Sequence, residues 1–262
     1  MISYPTWLPQ QASGWYMFMV GVAAVMCSIF LLGYTLCRSK KMLNPVGVFF
    51  IVFVLTQIGL LGARVYSVFE DVILHFKSGE PLSNYPLRDK MNSGGFSYYG
   101  GLLLVMACIY GFSKWFSLKK LLEIADILAI TVCIGYFFGR LGCQLSGDGC
   151  YGTYTTLPWG MHYIDGQYPS LLPAHPVPIY EMIVTGILFF YLLWLNERKQ
   201  FTGQIFCLYL IISSLSRFMF EFIRNNSKLA IGLTFTQFTA LAIFLFSILL
   251  RQRIKSSVSS LP

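Results

Sequence analysis

The chain has 262 residues, of which 56% are hydrophobic and only 11% are charged, and its mean hydropathy is +0.63. In soluble domains about a quarter of the residues are charged, so this composition excludes a soluble protein and predicts an integral membrane protein. The formal net charge of +8 would also suit a nucleic-acid-binding protein, but the positions of the basic residues, described below, argue against that class.

Seven apolar runs follow one another along the chain. A helix needs about 20 apolar residues to cross a hydrocarbon core of roughly 30 Å. Runs of about this length occur at 15–37, 46–68, 95–113, 121–139, 178–196, 203–223 and 230–250. We therefore predict an all-α polytopic membrane protein with about seven transmembrane helices, folded as a single membrane domain over 1–262. The loops 69–94 and 140–177 are too short for a separate soluble domain.

The basic residues predict how the chain is oriented. Alternate loops and the C-terminal tail contain Arg38, Lys40, Lys41, Lys114, Lys119, Lys120, Arg198, Lys199, Arg251, Arg253 and Lys255. Because cytoplasmic loops carry an excess of lysine and arginine, we expect these segments in the cytoplasm. The N-terminus and the loops 69–94 and 140–177 then face outward, and the C-terminus is cytoplasmic.

Ionisable residues also occur within or at the edges of the apolar runs. They are Arg64, Asp126, Arg140, Asp148, Glu181, Arg217 and Glu221. A charged side chain at a helix centre costs roughly 2.5–3.5 kcal/mol on insertion scales, so such residues usually pair or line a polar site. We expect Asp126 to pair or to reach the cytoplasmic interface. The others are candidates for a functional site.

The arginines among them predict an anion site. Arg217, Glu221 and Arg224 have the spacing of an ion ladder on one helix face, which could be purely structural. Arg64 and Arg140, on other segments, add more positive charge than one glutamate neutralises, and guanidinium groups fit phosphate. At the outer membrane boundary, such an anion most resembles a phospholipid head group.

Glycines and cysteines near these charges leave alternatives open. Gly139 and Gly142 flank Arg140, and such glycines allow either close helix packing or the approach of a ligand. Of the seven cysteines, Cys143 and Cys150 could reach the outer face and form a disulfide. The three histidines lack metal-ligand spacing, and we predict no metal and no cofactor.

Six motifs follow one another along nearly the whole chain. They are WY at 15–16, GLLGAR at 59–64, GGFSYYGG at 94–101, FGRLGCQLSGDGCYG at 138–152, HPVPIYE at 175–181 and SRFMFEFIR at 216–224. Together these motifs resemble those of one family, the bacterial prolipoprotein diacylglyceryl transferases, and their order and spacing make the resemblance specific.

This resemblance implies a reaction and its partners. The diacylglyceryl group of phosphatidylglycerol is transferred to the thiol of the lipobox cysteine in a prolipoprotein signal peptide, and glycerol phosphate is released. The implied location is the bilayer of the bacterial inner membrane, with no role for nucleic acid. Catalytic roles are implied for Tyr16, Tyr99, Arg140 and Arg217. Substrate-binding positions are implied at Arg64, Gly100, Gly101, Gly139, Gly142, Cys143, Asp148, Glu181, Glu221 and Arg224.

Two positions depart from the family pattern. Tyr99 replaces the histidine of the family's H-G-G, and tyrosine is a poor base at neutral pH because its reference pKa is about 10. Cys143 replaces an asparagine, either as an inert packing residue, which we favour, or as a reactive thiol beside Arg140. Two alternative functions are a non-catalytic lipid- or lipoprotein-binding protein and a transferase with a different acceptor.

Overall fold

The computed structural model describes residues 2–3, 12–39, 45–77, 87, 97–111, 117–226, 229 and 232–259. Its helices are α1 (Ala12–Ser39), α2 (Pro45–Lys77), α3 (Tyr98–Gly111), α4 (Leu118–Ser146), α5 (Val177–Asn196), α6 (Gln204–Phe220) and α7 (Phe235–Ser259). Five of these are long and apolar enough to cross a membrane, and α3 and α6 are shorter apolar helices. The predicted all-α polytopic membrane architecture is confirmed.

Several helices extend beyond their predicted ends, and α2, α4 and α7 do so by at least seven residues. The helix α2 continues to Lys77 and α4 continues to Ser146, whereas the apolar runs end at 68 and 139. The segment that follows α4 therefore begins at 147, and not at 140 as the sequence predicted. The reason is that Arg140 has a carboxylate partner on another helix, so its charge does not have to mark the helix end.

The chain forms two compact units, of which the smaller covers Asn44–Leu121. In this unit α2 and α3 are in close backbone contact. A Cβ atom added at Gly62 would lie 2.5 Å from the carbonyl oxygen of Gly100, and one added at Gly101 would lie 2.8 Å from that of Gly59. Only glycine permits such an approach. Gly100 and Gly101 thus lie at the contact between these two helices, and their role in substrate binding stays a prediction.

The larger unit comprises Met1–Leu43 and Leu122–Pro262 and contains a small sheet. Its strands are β1 (Ile2–Ser3), β2 (Met161–Tyr163) and β3 (Ser170–Ala174). Ile2 is paired with Met161 in parallel register, while β2 and β3 are antiparallel. The buried Tyr163 donates a hydrogen bond to Gln144 Oε1 at 3.0 Å. The sheet therefore packs on the last turns of α4.

Asp126 organises the opposite end of α4. Its buried carboxylate accepts hydrogen bonds from Lys199 Nζ at 3.0 Å and from the backbone N–H groups of Gly203 at 3.0 Å and Phe206 at 2.9 Å. These N–H groups belong to the start of α6, where a carboxylate caps free donors and complements the helix dipole. The prediction that Asp126 pairs is confirmed, and its role is structural.

Candidate anion site and adjacent thiols

An ion-pair network joins three helices at one end of the larger unit. Arg140 Nε on α4 lies 2.6 Å from Glu181 Oε2, and Arg217 Nη1 on α6 lies 2.8 Å from Glu181 Oε1. Glu181 is in the second turn of α5 and is only 3% exposed. Each of its oxygens is thus held by a different arginine, which fixes both guanidinium groups in place.

The network continues beyond the end of α6. Glu221, which is 1% exposed, lies 3.3 Å from Arg217 Nη2 and 3.9 Å from Arg224 Nε. It also accepts a hydrogen bond from Asn226 Nδ2 at 2.6 Å. Three arginines therefore share two glutamates. Within the part of the chain that the structure describes, the buried Nε and Nη1 atoms of Arg224 have no hydrogen-bond acceptor. These donors are suited to an oxyanion.

Tyr136 is a site residue that sequence reasoning missed. The guanidinium carbon of Arg140 lies 4.8 Å from the centroid of the Tyr136 ring, a cation–π contact. Tyr136 precedes Arg140 by four residues, so the two share one face of α4. That spacing was a signal available in the sequence.

The glycines around Arg140 differ in their surroundings. A Cβ atom at Gly142 would lie 3.3 Å from Cα of Tyr16, so Gly142 lets α1 approach α4. Tyr16 is thereby close enough to Arg140 and Cys143 to interact with them electrostatically. A Cβ atom at Gly139 would meet no described atom within 4 Å. Among the described residues, Gly139 therefore does not serve the packing of another helix.

Two thiols lie beside Arg140. Its Nη1 donates to Cys143 Sγ at 3.7 Å and to Cys150 Sγ at 3.6 Å. Because α4 persists beyond Arg140, Cys143 stands one turn after it on the same face. The backbone N–H of Cys150 donates to Asp148 Oδ1 at 3.0 Å. Cys150 is thus part of the site, although the sequence suggested only a disulfide for it.

Glycine conformations hold this loop in position. Gly147 and Gly149 have φ angles of 57° and 80°, in the left-handed region that favours glycine. The loop is fixed from outside by hydrogen bonds from Gln167 N to Ser146 O at 2.9 Å and from Tyr168 N to Gly147 O at 3.0 Å. The backbone geometry of this loop therefore determines the positions of Asp148 and Cys150.

The electrostatics of this loop couple Asp148 to Cys150. Burial and the neighbouring Cys150 raise the pKa of the Asp148 carboxyl to about 7. A hydrogen bond from the Cys143 thiol lowers the pKa of Cys150 below its ordinary value, and the charges of Arg224 and Arg140 contribute. The raised pKa of Asp148 and the lowered pKa of Cys150 therefore both favour negative charge on the thiol over the carboxyl.

The remaining predicted residues lie in the smaller unit. Arg64 is a half-buried residue of α2, and Tyr99 is buried near the start of α3. The structure thus brings together Tyr16, Arg140, Gly142, Cys143, Asp148, Glu181, Arg217, Glu221 and Arg224. The participation of Arg64, Tyr99, Gly100 and Gly101 in this site stays a prediction.

A family model and several known proteins match this chain in sequence. A family model described as prolipoprotein diacylglyceryl transferase matches residues 7–252. A phosphatidylglycerol–prolipoprotein diacylglyceryl transferase of Nitratidesulfovibrio vulgaris (strain DP4) is 33% identical over 172 residues, which cover 63% of this chain and 60% of that protein. The chain thus spans about three fifths of the length of that relative.

Two clostridial relatives align over longer segments. A protein of the same name from Clostridium tetani is 31% identical over 200 residues, covering 72% of this chain and 76% of the relative. One from Clostridium perfringens, named transferase 2, is 31% identical over 247 residues, covering 90% of this chain and 88% of the relative. The longer of these alignments includes nearly all of both proteins.

Proposed function

Because the chain belongs to the prolipoprotein diacylglyceryl transferase family, we propose that it transfers the diacylglyceryl group of phosphatidylglycerol to the lipobox cysteine of a secreted prolipoprotein. The names of its relatives include this donor and this acceptor. The observation that carries the proposal is the arginine network, which has more positive than negative members and in which two donors of Arg224 have no hydrogen-bond acceptor among the described residues.

The chemistry requires a phosphate leaving group and a nucleophilic sulfur. The acceptor sulfur attacks the glyceryl carbon, the bond from that carbon to the phosphate oxygen breaks, and glycerol phosphate leaves. Negative charge develops on the phosphate, and preorganised guanidinium groups in a site with little water stabilise it. Arg140 and Arg217 are the proposed catalytic arginines, because Glu181 fixes both of them.

The other predicted residues have binding or orienting roles in this proposal. Arg224 donates to the phosphate the Nε–H and Nη1–H groups that lack a hydrogen-bond acceptor among the described residues, and Gly139 leaves space for the glyceryl chain. Glu221 positions Arg217 and Arg224. Tyr16 and Tyr99 are proposed catalytic residues, and Arg64 is a proposed second contact for the donor head group.

The orientation belongs to the same proposal. We place the protein in the bacterial plasma membrane as a single membrane domain, with the N-terminus and the segment 147–176 outward and the C-terminus cytoplasmic. Labelling of introduced cysteines with an impermeant reagent tests this. Labelling of residue 165 in intact cells is expected, and protection of that residue would contradict an outward-facing site.

The activity is tested with purified protein in phosphatidylglycerol vesicles and a synthetic lipobox peptide. Mass spectrometry should detect the peptide with an added diacylglyceryl group and an equal amount of free glycerol phosphate. A peptide with serine in place of the lipobox cysteine and vesicles of phosphatidylcholine are the controls. Peptide binding without a lipidated product would contradict the transferase and support a non-catalytic binding protein.

A further inference from the structure

Three metal-ligating side chains converge beside the arginine network. Cys143 lies in the last turns of α4, and Asp148 and Cys150 lie in the loop after it. One ligand atom from each residue, the two Sγ atoms and a carboxylate oxygen, lies within 4.8 Å of the others. In a tetrahedral zinc site with Zn–S bonds of about 2.3 Å, two sulfurs stand about 3.8 Å apart. The upper limit of 4.8 Å on the observed separations exceeds this value by about 1 Å.

The type of donor selects the cation. Two thiolates and one carboxylate suit zinc, whereas calcium and magnesium take six or more oxygen ligands. Asp148 Oδ1 accepts the N–H of Cys150 at 3.0 Å, which orients the carboxylate. Side chains that ligate metals usually make such a further hydrogen bond, which fixes their orientation. The half-buried Asp148 and the exposed Gly149 give a path from solvent to the site.

Arg140 is compatible with a cation at this position. Two thiolates and a carboxylate carry three negative charges, so their complex with a divalent cation has a net charge of −1. The guanidinium of Arg140, at 3.6 and 3.7 Å from the two sulfurs, then forms an ion pair with that complex. The same guanidinium is held by Glu181 at 2.6 Å. The metal position is therefore next to the proposed phosphate position.

We propose that Cys143, Asp148 and Cys150 form a zinc site with an open fourth position, and that this position takes the thiol of the acceptor cysteine. Three protein ligands and one exchangeable position are typical of catalytic zinc. The site itself follows from the geometry, whereas its role in thiol activation rests on the proposed function. This assignment adopts the reactive alternative for Cys143 and gives Cys150 a role.

The proposed step accounts for every atom. The acceptor thiol binds the cation and releases its proton to solvent, because a coordinating thiol is deprotonated by the metal. The bound sulfur attacks the glyceryl carbon, a C–S bond forms and the C–O bond to the phosphate breaks. Glycerol phosphate leaves with the electron pair of that bond, and no group is oxidised or reduced. A metal-activated thiol also removes the need for a side-chain base, which matters where Tyr99 stands in place of a histidine.

The site is tested without turnover. The full-length protein, purified under reducing conditions, should contain about one zinc per chain by mass spectrometry of metals. After replacement with Co²⁺, it should have a thiolate-to-cobalt charge-transfer band. Cys143→Ser and Cys150→Ser are expected to lose both signals, while Cys37→Ser, at an exposed cysteine of α1, keeps them. The proposal is overturned if the unaltered protein contains no more metal than a variant with both Cys143→Ser and Cys150→Ser, or if Cys143 and Cys150 form a disulfide without bound metal.

A separate measurement tests whether the acceptor thiol binds at the fourth position of the metal. Addition of the lipobox peptide to the Co²⁺ protein should increase the charge-transfer band by about half, because a third thiolate joins two. The serine peptide should leave the band unchanged. An unchanged band with both peptides overturns the acceptor role.

Failure of the inference can be told apart from failure of the proposed function. Lipid transfer that is equally fast after removal of the metal keeps the transferase and overturns the metal's role. A protein that holds zinc and responds to the cysteine peptide, but yields no lipidated product, keeps the site and contradicts the transferase.

Discussion

Glu181 and Arg140 form a 2.6 Å ion pair between the second turn of α5 and a position in α4 about two turns before that helix ends. The second oxygen of Glu181 binds Arg217, so one carboxylate holds two cations that would otherwise repel each other in a buried place. Removal of one partner from a buried pair leaves an uncompensated charge. Glu181 is therefore the residue on which the geometry of the network depends most.

Glu181→Gln should lower the free energy of unfolding by about 3–5 kcal/mol, because Arg140 and Arg217 lose their shared counterion. Thermal unfolding in detergent, followed by the fluorescence of a thiol-reactive dye, measures the effect. The matched control is Glu123→Gln, at an exposed residue of α4, with an expected change within about 0.5 kcal/mol. Equal unfolding temperatures for the two variants would contradict a supporting role of Glu181.

Arg140→Ala and Arg217→Ala should each reduce the rate of lipid transfer by about 10²–10³, the usual effect of removing a donor to developing charge. Membrane insertion and a monodisperse elution profile should persist. Initial rates with saturating phosphatidylglycerol measure the loss. Lys119→Ala, at an exposed residue near the start of α4, controls for a change in net charge. Full activity of both arginine variants would remove the argument for an anion site.

The helices and most of the charged site could be predicted from the sequence. Apolar runs indicate membrane spans because hydrocarbon excludes unpaired polar groups, and all seven runs correspond to helices. Arg140, Glu181, Arg217 and Glu221 stood out for the same reason, as charges where they are costly. Their ion pairs confirm that they belong together.

The features that the sequence did not predict depend on contacts between distant segments. The end of α4 was misplaced because the partner of Arg140 is on α5, and no local pattern reveals it. Cys150 lies in the site because the φ angles of Gly147 and Gly149 turn the loop so that its thiol lies beside Arg140. The close contact of Gly62 with Gly100 likewise arises only when α2 and α3 pack.

The variant Gly139→Ala tests whether the space beside Gly139 holds the donor lipid or matters only for helix packing. A Cβ atom at this helical position meets no described atom within 4 Å, and alanine is favoured over glycine in a helix by about 1 kcal/mol. Stability should therefore stay equal or rise. The added methyl group should raise the KM for phosphatidylglycerol several-fold if the space holds the glyceryl chain. Steady-state rates at varied lipid content measure this, and an unchanged KM would place the donor elsewhere.

Replacement of Tyr99 tests the effect of the departure from the family pattern. It stands in Y-G-G where the family has H-G-G, and it is buried near the start of α3. Its hydroxyl is the group we expect to move a proton or to donate a hydrogen bond to the leaving phosphate, and such groups typically contribute about 10²–10⁴ to a rate. Tyr99→Phe should therefore reduce the turnover number at least about tenfold, with little change in unfolding temperature.

The matched variant is Tyr98→Phe, which removes a hydroxyl one residue earlier on the same helix from a less buried ring. If Tyr99 acts in the transition state, only Tyr99→Phe lowers the turnover number, and its KM for phosphatidylglycerol stays unchanged. A rise in KM alone would instead indicate that the hydroxyl binds the donor equally strongly in the ground state and in the transition state. Equal turnover numbers for both variants and the unaltered protein would remove Tyr99 from the mechanism, leaving activation of the acceptor to the thiol–carboxylate cluster of Cys143, Asp148 and Cys150.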